Sequence, residues 1–297
     1  MNRLSMAEIP QLQNPLLLVA FAGWNDAAES ATTAAKFLID RLGATKFASI
    51  DPEEFMNFSE QRPLVSLHEG ATRVLTWPTT DFYSVRDPRL LRDLVIGLGV
   101  EPHLKWKTYT QLIGEVIRAC NVTMVVSLGA LLTDVVHSQA VRISGLSTDV
   151  ELARRLKLDL SRYEGPTGIV GVLHDHLRRE GMPSLSLWAN CSHYIRAIPN
   201  PKAALALVRQ VLRILDFTLD LSVLERAAAA FDQQISELIA RDPKLASYVK
   251  QMELRDEAGG AAEESAAREH EPSLPSGDAL AEELQRFLRD QGKRKEG

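Results

Sequence analysis

The chain has 297 residues, 45% hydrophobic and 25% charged, a globular balance long enough to bury a sizeable core in one large domain or two small ones. A formal net charge of −5 argues against general nucleic-acid binding, which calls for a basic face, and no apolar run approaches the roughly 20 residues that span a bilayer. Two cysteines, Cys120 and Cys191, supply neither a disulfide framework nor a zinc ligand set, so packing as small apolar residues in a reduced, cytoplasmic setting is expected.

In chain order, the stretch from Pro15 to Ala22 lacks the basic flank and cleavage site of a signal peptide. Its unbroken apolar part, Leu16 to Ala22, predicts a strand buried on both faces. Gly23-Trp24-Asn25-Asp26 breaks it, and Ala27, Ala31, Ala34, Ala35, Leu38 and Leu42 then predict a helix stopped by Gly43. Strands are predicted at Lys46 to Ile50, Arg73 to Thr76, Val122 to Leu128, Val141 to Leu146 and Ser184 to Ala189. Helices are predicted at Trp106 to Cys120, Asp149 to Lys157 and Gly168 to Arg179. This alternation predicts an α/β layer structure with a mostly parallel sheet. After Asn200 the pattern turns helical, with Pro201 at a start, a second helix from Ser222, a break at Asp242-Pro243 and a third helix to about Glu253. The composition from about Glu257 to Ser276 predicts a disordered linker. Asp278 then caps a short amphipathic helix with Leu280, Leu284, Phe287 and Leu288 in one stripe. The expected division is an α/β domain over 14–220, a helical extension over 221–256, a linker over 257–277 and a tail helix over 278–291.

Ligands of open α/β sheets bind beyond the carboxyl ends of the strands, and four segments fall there. Asn25 or Asp26 could cap the following helix, or the free N–H groups beside them could hold an anion. Asp134 and His137 could form a carboxylate–imidazole pair for proton transfer, or shape a turn. Arg162, Tyr163 and Glu164 stand before Gly165-Pro166-Thr167-Gly168, where Thr167 can cap the next helix. That loop could form a ligand site or a subunit contact. His193 follows the last strand and could be catalytic or structural. His174 and His176 point in different directions on a helix, so no shared metal is expected. Ser127 lacks a hydrolase elbow, and there is no HExxH, GxxxxGK or GxGxxG.

Phe21 to Ala27, Ile50 to Phe55, Trp77-Pro78, Ser127 to Leu131, Ser161 to Gly171, Ser186 to Ala189 and Asn200 to Ala203 together resemble the proteasome assembly chaperone 2 family, in its bacterial branch. The resemblance covers roughly residues 14 to 220. It implies a three-layer α/β/α fold similar to nucleoside phosphorylases, and a homo-oligomer, with a trimer among the forms. It implies no established reaction and no cofactor. Relatives in eukaryotes and archaea act with proteasome α-rings, several through a hydrophobic–Tyr–X tail. The sequence here closes on Arg294-Lys295-Glu296-Gly297, so docking by that route is not expected. Asp134-Val135-Val136-His137-Ser138-Gln139 departs from the Asp-Val-Pro-His-Thr-Arg form of close relatives and lacks an arginine that would favour an anion. The resemblance and the missing catalytic motifs lead to a non-catalytic, oligomeric protein with a chaperone-like or protein-interaction role. The alternative is an enzyme or binder of a nucleoside or phosphate-type molecule.

Overall fold

The computed structural model describes residues 3–68, 72–161, 163–195 and 199–257. In chain order the elements are β1 (Leu4–Met6), β2 (Leu16–Ala22), a 3-10 turn (Ala27–Glu29), α1 (Ser30–Leu42), β3 (Thr45–Ile50), β4 (Leu64–His68), β5 (Thr72–Thr76), β6 (Thr80–Val85) and β7 (Leu94–Val100). There follow α2 (Trp106–Ala119), β8 (Met124–Thr133), β9 (Ile143–Ser147), α3 (Val150–Leu156), β10 (Asp159–Leu160), α4 (Ile169–Arg179), β11 (Ser184–Ser192), α5 (Pro201–Leu215), α6 (Ser222–Arg241) and α7 (Pro243–Glu257). Glu257 closes α7, whereas the rest of the expected linker and the expected tail helix lie outside the described residues.

Among the described residues nine strands form one sheet in the order β1-β3-β6-β7-β2-β8-β11-β9-β10. Its centre, β7-β2-β8-β11, is parallel, and the flanks add antiparallel pairs at β1–β3, β3–β6, β6–β7 and β9–β11. The α/β class therefore holds, with the parallel pairing concentrated where helices cover both faces.

The period-2 alternation of β2 explains the layering. Leu16, Leu18 and Ala20 enter a core beneath α1, α3 and α5, whereas Leu17, Val19 and Phe21 enter a second core beneath α2 and α4. Each fully buried leucine contributes about 2 kcal/mol of transfer free energy. The two free thiols lie buried in opposite cores, Cys191 in the first and Cys120 in the second, and burial raises each to about 11. Gly43 ends α1 in the left-handed region at φ 60°, and Asn200 accepts from the Ala203 N–H to start α5.

His174 fastens α4 to the sheet. Its Nε2 lies 2.8 Å from Ser127 Oγ on β8, and its Nδ1 lies 3.2 Å from Ser184 Oγ on β11. A neutral ring satisfies both hydroxyls with one donor and one acceptor. Burial lowers its pKa to about 4. The unfolded side chain takes up a proton near pH 6.5, so between there and about pH 4 unfolding binds a proton and stability falls as pH drops. The limit of this loss is about 3 kcal/mol. Urea midpoints at about pH 7 and about pH 5 should therefore separate more widely in the native protein than in His174→Gln; equal separations would exclude this assignment.

Candidate functional site

The chain leaves β2 through Gly23, whose φ of +124° suits glycine. Ala28 and Glu29 both hold left-handed backbone at φ 51°, a conformation costing about 1–2 kcal/mol for each such residue. Asp26 offsets that cost. Its buried carboxylate accepts from the Ala31 N–H at 2.6 Å, the Thr32 N–H at 3.2 Å and the Thr32 hydroxyl at 2.5 Å. These are the first-turn donors that an N-cap normally takes, reached here from five and six residues upstream. Burial, above all, raises the Asp26 pKa. The Ala28 carbonyl accepts from Asn200 N–H at 2.8 Å, so the same turn also fixes the approach to α5. Of the two sequence readings of Asp26, capping is the one the hydrogen bonds describe.

Asn25 turns the other way. Its backbone carbonyl accepts from Ala130 N–H at 2.9 Å, extending the β2–β8 pairing, and its buried amide has no hydrogen-bond partner on either atom among the described residues. It meets Gly168 at the start of α4, where a Cβ would collide with Asn25 Oδ1 and Glu101 Oε1. Glu101, which follows β7, accepts from Ile169 N–H at 2.8 Å and caps α4. Thr167 was expected in that role; its hydroxyl sits instead against Gly171. Glu101 escaped the sequence reading because 68 residues separate it from its partner. A carboxylate at the first turn of α4 leaves little there for a second anion.

Asp134 and His137 do not pair with each other. Asp134 lies 3.1 Å from His193 Nδ1, and the Tyr248 hydroxyl of α7 lies 3.1 Å from His193 Nε2. His137 N–H donates to the Tyr194 phenol oxygen at 2.9 Å, and that phenol lies 2.9 Å from His137 Nδ1. His137 Nε2 is 3.2 Å from Ser236 Oγ on α6, which donates to the Asp232 carbonyl at 2.8 Å. The tautomer with its proton on Nε2 satisfies this whole series. Burial, first of all, lowers the His137 pKa. Lys202 donates to the His137 carbonyl at 2.5 Å and pairs with Asp232 at 2.8 Å. Around these groups Val136, Tyr194 and Ile195 pack with Phe231, Ile235 and Val249 of the α6–α7 pair. Both histidines therefore hold helices onto loops, and the space beside His137 is about 20 Å³, room for about one water rather than a substrate.

The Ser161–Gly171 loop stands apart from this cluster. The exposed Tyr163 donates from its hydroxyl to the Pro166 carbonyl at 3.0 Å, Glu164 is exposed, and Arg162 lies outside the described residues. A larger concavity of about 1000 Å³ lies between α5 and α6, lined by Val141, Ile143 and Phe217 among others, and none of the seven described candidates lines it. At the carboxyl edge itself Trp24, Leu131 and Leu132 are exposed, on chain segments joined by the Asp26–Ala130 bridge.

These features define a three-layer α/β/α protein in which Asp26, His137 and His193 secure its own helices. The PAC2 family's sequence profile matches residues 20–239, and the chain belongs to that family. It is 38% identical to a PAC2 family protein of Streptomyces avermitilis, over 79% of this chain and 99% of that one, with a TM-score of 0.73. It is 39% identical to the Mycobacterium tuberculosis proteasome-assembly chaperone homologue Rv2125, again over 79% and 99%, with a TM-score of 0.72. Pyrococcus furiosus PbaB, an archaeal proteasome activator, shares the fold at 20% identity and a TM-score of 0.64, over 79% and 97%. No curated protein matches.

Two substitutions test these assignments. Gly168→Ala forces a methyl onto Asn25 and Glu101, and should lower unfolding free energy by about 1–3 kcal/mol in denaturant melts. Tyr194→Phe removes the phenol oxygen that His137 uses twice. Hydrogen exchange should then speed up in α6 and α7 while the central strands stay protected; unchanged exchange in both helices would contradict the docking role.

Proposed function

We propose that this protein is a non-catalytic, oligomeric interaction protein with a chaperone-like role. The observation that carries the reading is the engagement of His137, His193 and Asp26, three of the candidate acid–base groups, in holding α6, α7 and α1. A general base must reach a substrate proton, and these side chains reach their own helices instead. The exposed Trp24, Leu131 and Leu132 supply an apolar contact surface at the same edge, of the kind that anchors protein partners. The mycobacterial relative, a proteasome-assembly chaperone homologue, makes a proteasome subunit the first partner to try. Trp24→Ser with Leu131→Ser should weaken capture of a crosslinked native partner roughly tenfold, about 1.4 kcal/mol, without lowering the thermal midpoint. A metabolite turned over by the purified protein, with no partner captured, would sink the reading.

One observation favours a second reading. Asn25 keeps both amide atoms unpartnered while buried beside Glu101 and the start of α4, and the base or sugar of a nucleoside-type ligand would supply polar atoms to it without setting an anion against Glu101. Such a ligand would raise thermal stability, and a screen of nucleosides, inorganic phosphate and phosphate esters without any shift would remove it.

A further inference from the structure

Helix α7 starts without help from the body. Asp242 ends α6 in extended backbone at φ −112° and ψ 105°. Its carboxylate accepts from the Lys244 N–H at 2.9 Å and the Leu245 N–H at 3.2 Å, and its carbonyl accepts from the Ala246 N–H at 2.8 Å. The residue that breaks α6 therefore also caps α7, so the two helices meet at a joint.

Leu245, Tyr248, Val249 and Met252 repeat at the i, i+3, i+4 and i+7 spacing of an amphipathic helix. Leu245 and Val249 are buried, Tyr248 and Met252 are partly buried, and Lys244, Lys250 and Arg255 face solvent. The apolar stripe packs with Ile235, Leu238 and Ile239 of α6 and with Val136, Tyr194 and Ile195 of the carboxyl-edge loops. Among the described helices and strands, α7 packs extensively only on α6. The loops hold it through the Tyr248 hydroxyl, 3.1 Å from His193 Nε2, and through Ser138 Oγ, which donates to Glu253 at 2.8 Å. Helix α5 has the same length, 15 residues, and buries eight of them, whereas α7 buries Leu245 and Val249 among its described side chains. An isolated helix of that length is marginal in water, and elements with few buried apolar contacts open at the low end of the local stability range. Helix α7 thus leaves its seat more readily than α5 does.

We propose that α7 is a displaceable occupant of a helix-binding groove, into which a protein partner inserts an amphipathic helix with apolar residues at i, i+3, i+4 and i+7. Resting on the interaction reading above, this names the part of the partner that the surface takes. The shape of the groove is given by α7 itself, a helix seated between α6 and the edge loops, and the same spacing supplies the anchors when one protein lays a helix into the groove of another. The groove also continues the exposed edge, because Val136 follows Leu131 and Leu132 on the chain leaving β8. A seated α7 is an internal competitor: the partner's apparent affinity is reduced to the fraction of molecules in which the groove is open.

Hydrogen exchange in the native full chain should be at least about tenfold faster in α7 than in α5. The binding probe is a fluorescein-labelled peptide of residues 243–257, read by polarisation. Leu245→Asp with Val249→Asp in the full chain should release α7, and that variant should bind the peptide at least about tenfold more tightly than the native chain. Circular dichroism and the thermal melt report whether its body stays folded. Tyr248→Phe with Glu253→Gln is a milder release that keeps the apolar contacts, and should shift exchange and peptide affinity in the same directions. A peptide carrying the two aspartates should bind none of these chains. Equal binding of the native-sequence peptide by the native chain and both variants, or none by any of them at about 1 mM, would overturn the proposal. So would binding of the aspartate peptide, or α7 amides as protected as those of α5. Failure of the peptide with Trp24-dependent capture intact removes the groove and leaves the interaction reading. Peptide binding by the released variant with no partner captured removes that reading and keeps the groove.

Discussion

The fold depends on one buried carboxylate. At the exit of β2 the chain must turn, pair briefly with β8 and begin α1 within a few residues. It does so through two consecutive left-handed residues, Ala28 and Glu29. Asp26 makes that path affordable by taking the first-turn donors of α1. The bridge to Ala130 and the Asn200 N–H bond to Ala28 then carry the constraint to the central strand and to α5. Because α1 and α5 pack together on the same face of the sheet, the position of that layer follows from this turn. Desolvation raises the pKa of the carboxylate, and its three donors oppose that shift. The group is thus strongly committed to geometry.

The same logic governs the other polar groups at the sheet's carboxyl edge. Glu101 caps α4, Asn200 caps α5, and His137 and His193 receive α6 and α7. An edge where several helices start must satisfy many orphan N–H groups, and this protein spends its carboxylates and imidazoles on that task and on docking. Asn25 is the exception. A buried amide without partners costs about 1–3 kcal/mol, and its position against Gly168 explains why the Gly23–Asp26 and Gly165–Gly168 segments stand out together in the sequence. They meet in space.

Much of the architecture was legible because it is written in local patterns. The apolar run Leu16–Ala22 gave a strand buried on both faces, and the spacing from Ala27 to Leu42 gave a helix with its Gly43 stop, although α1 begins only at Ser30, after the 3-10 turn that holds Ala27. Strand β7 escaped notice because Gly97 and Gly99 resemble breakers. In the sheet they make room instead, Gly97 for Phe82 and Val19, and Gly99 for Thr80. The site was harder to read. Capping by Asp26 acts across five and six residues rather than the usual two or three, and the bonds of His137 and His193 to α6 and α7 span 99 and 55 residues. Residue type alone therefore left proton transfer and attachment both open, and the hydrogen bonds of these side chains run to the helices.

The ribbon of β4 and β5 obeys a different economy from the rest of the chain. In the body, alternation sends each apolar residue of a central strand into one of two cores, and the outermost strands are too short to recruit another chain. In the ribbon the same alternation places leucine and valine on both faces, with neither face covered by the body. Two surfaces of one protein cannot follow opposite rules for the same solvent. Water penalises an uncovered leucine in a ribbon as it does in a core, and the body leaves Leu64 and Leu67 mostly exposed. That separates the ribbon from the carboxyl edge. There the exposed Trp24, Leu131 and Leu132 sit on segments already fixed by internal bonds, and can wait for a partner without loss of order.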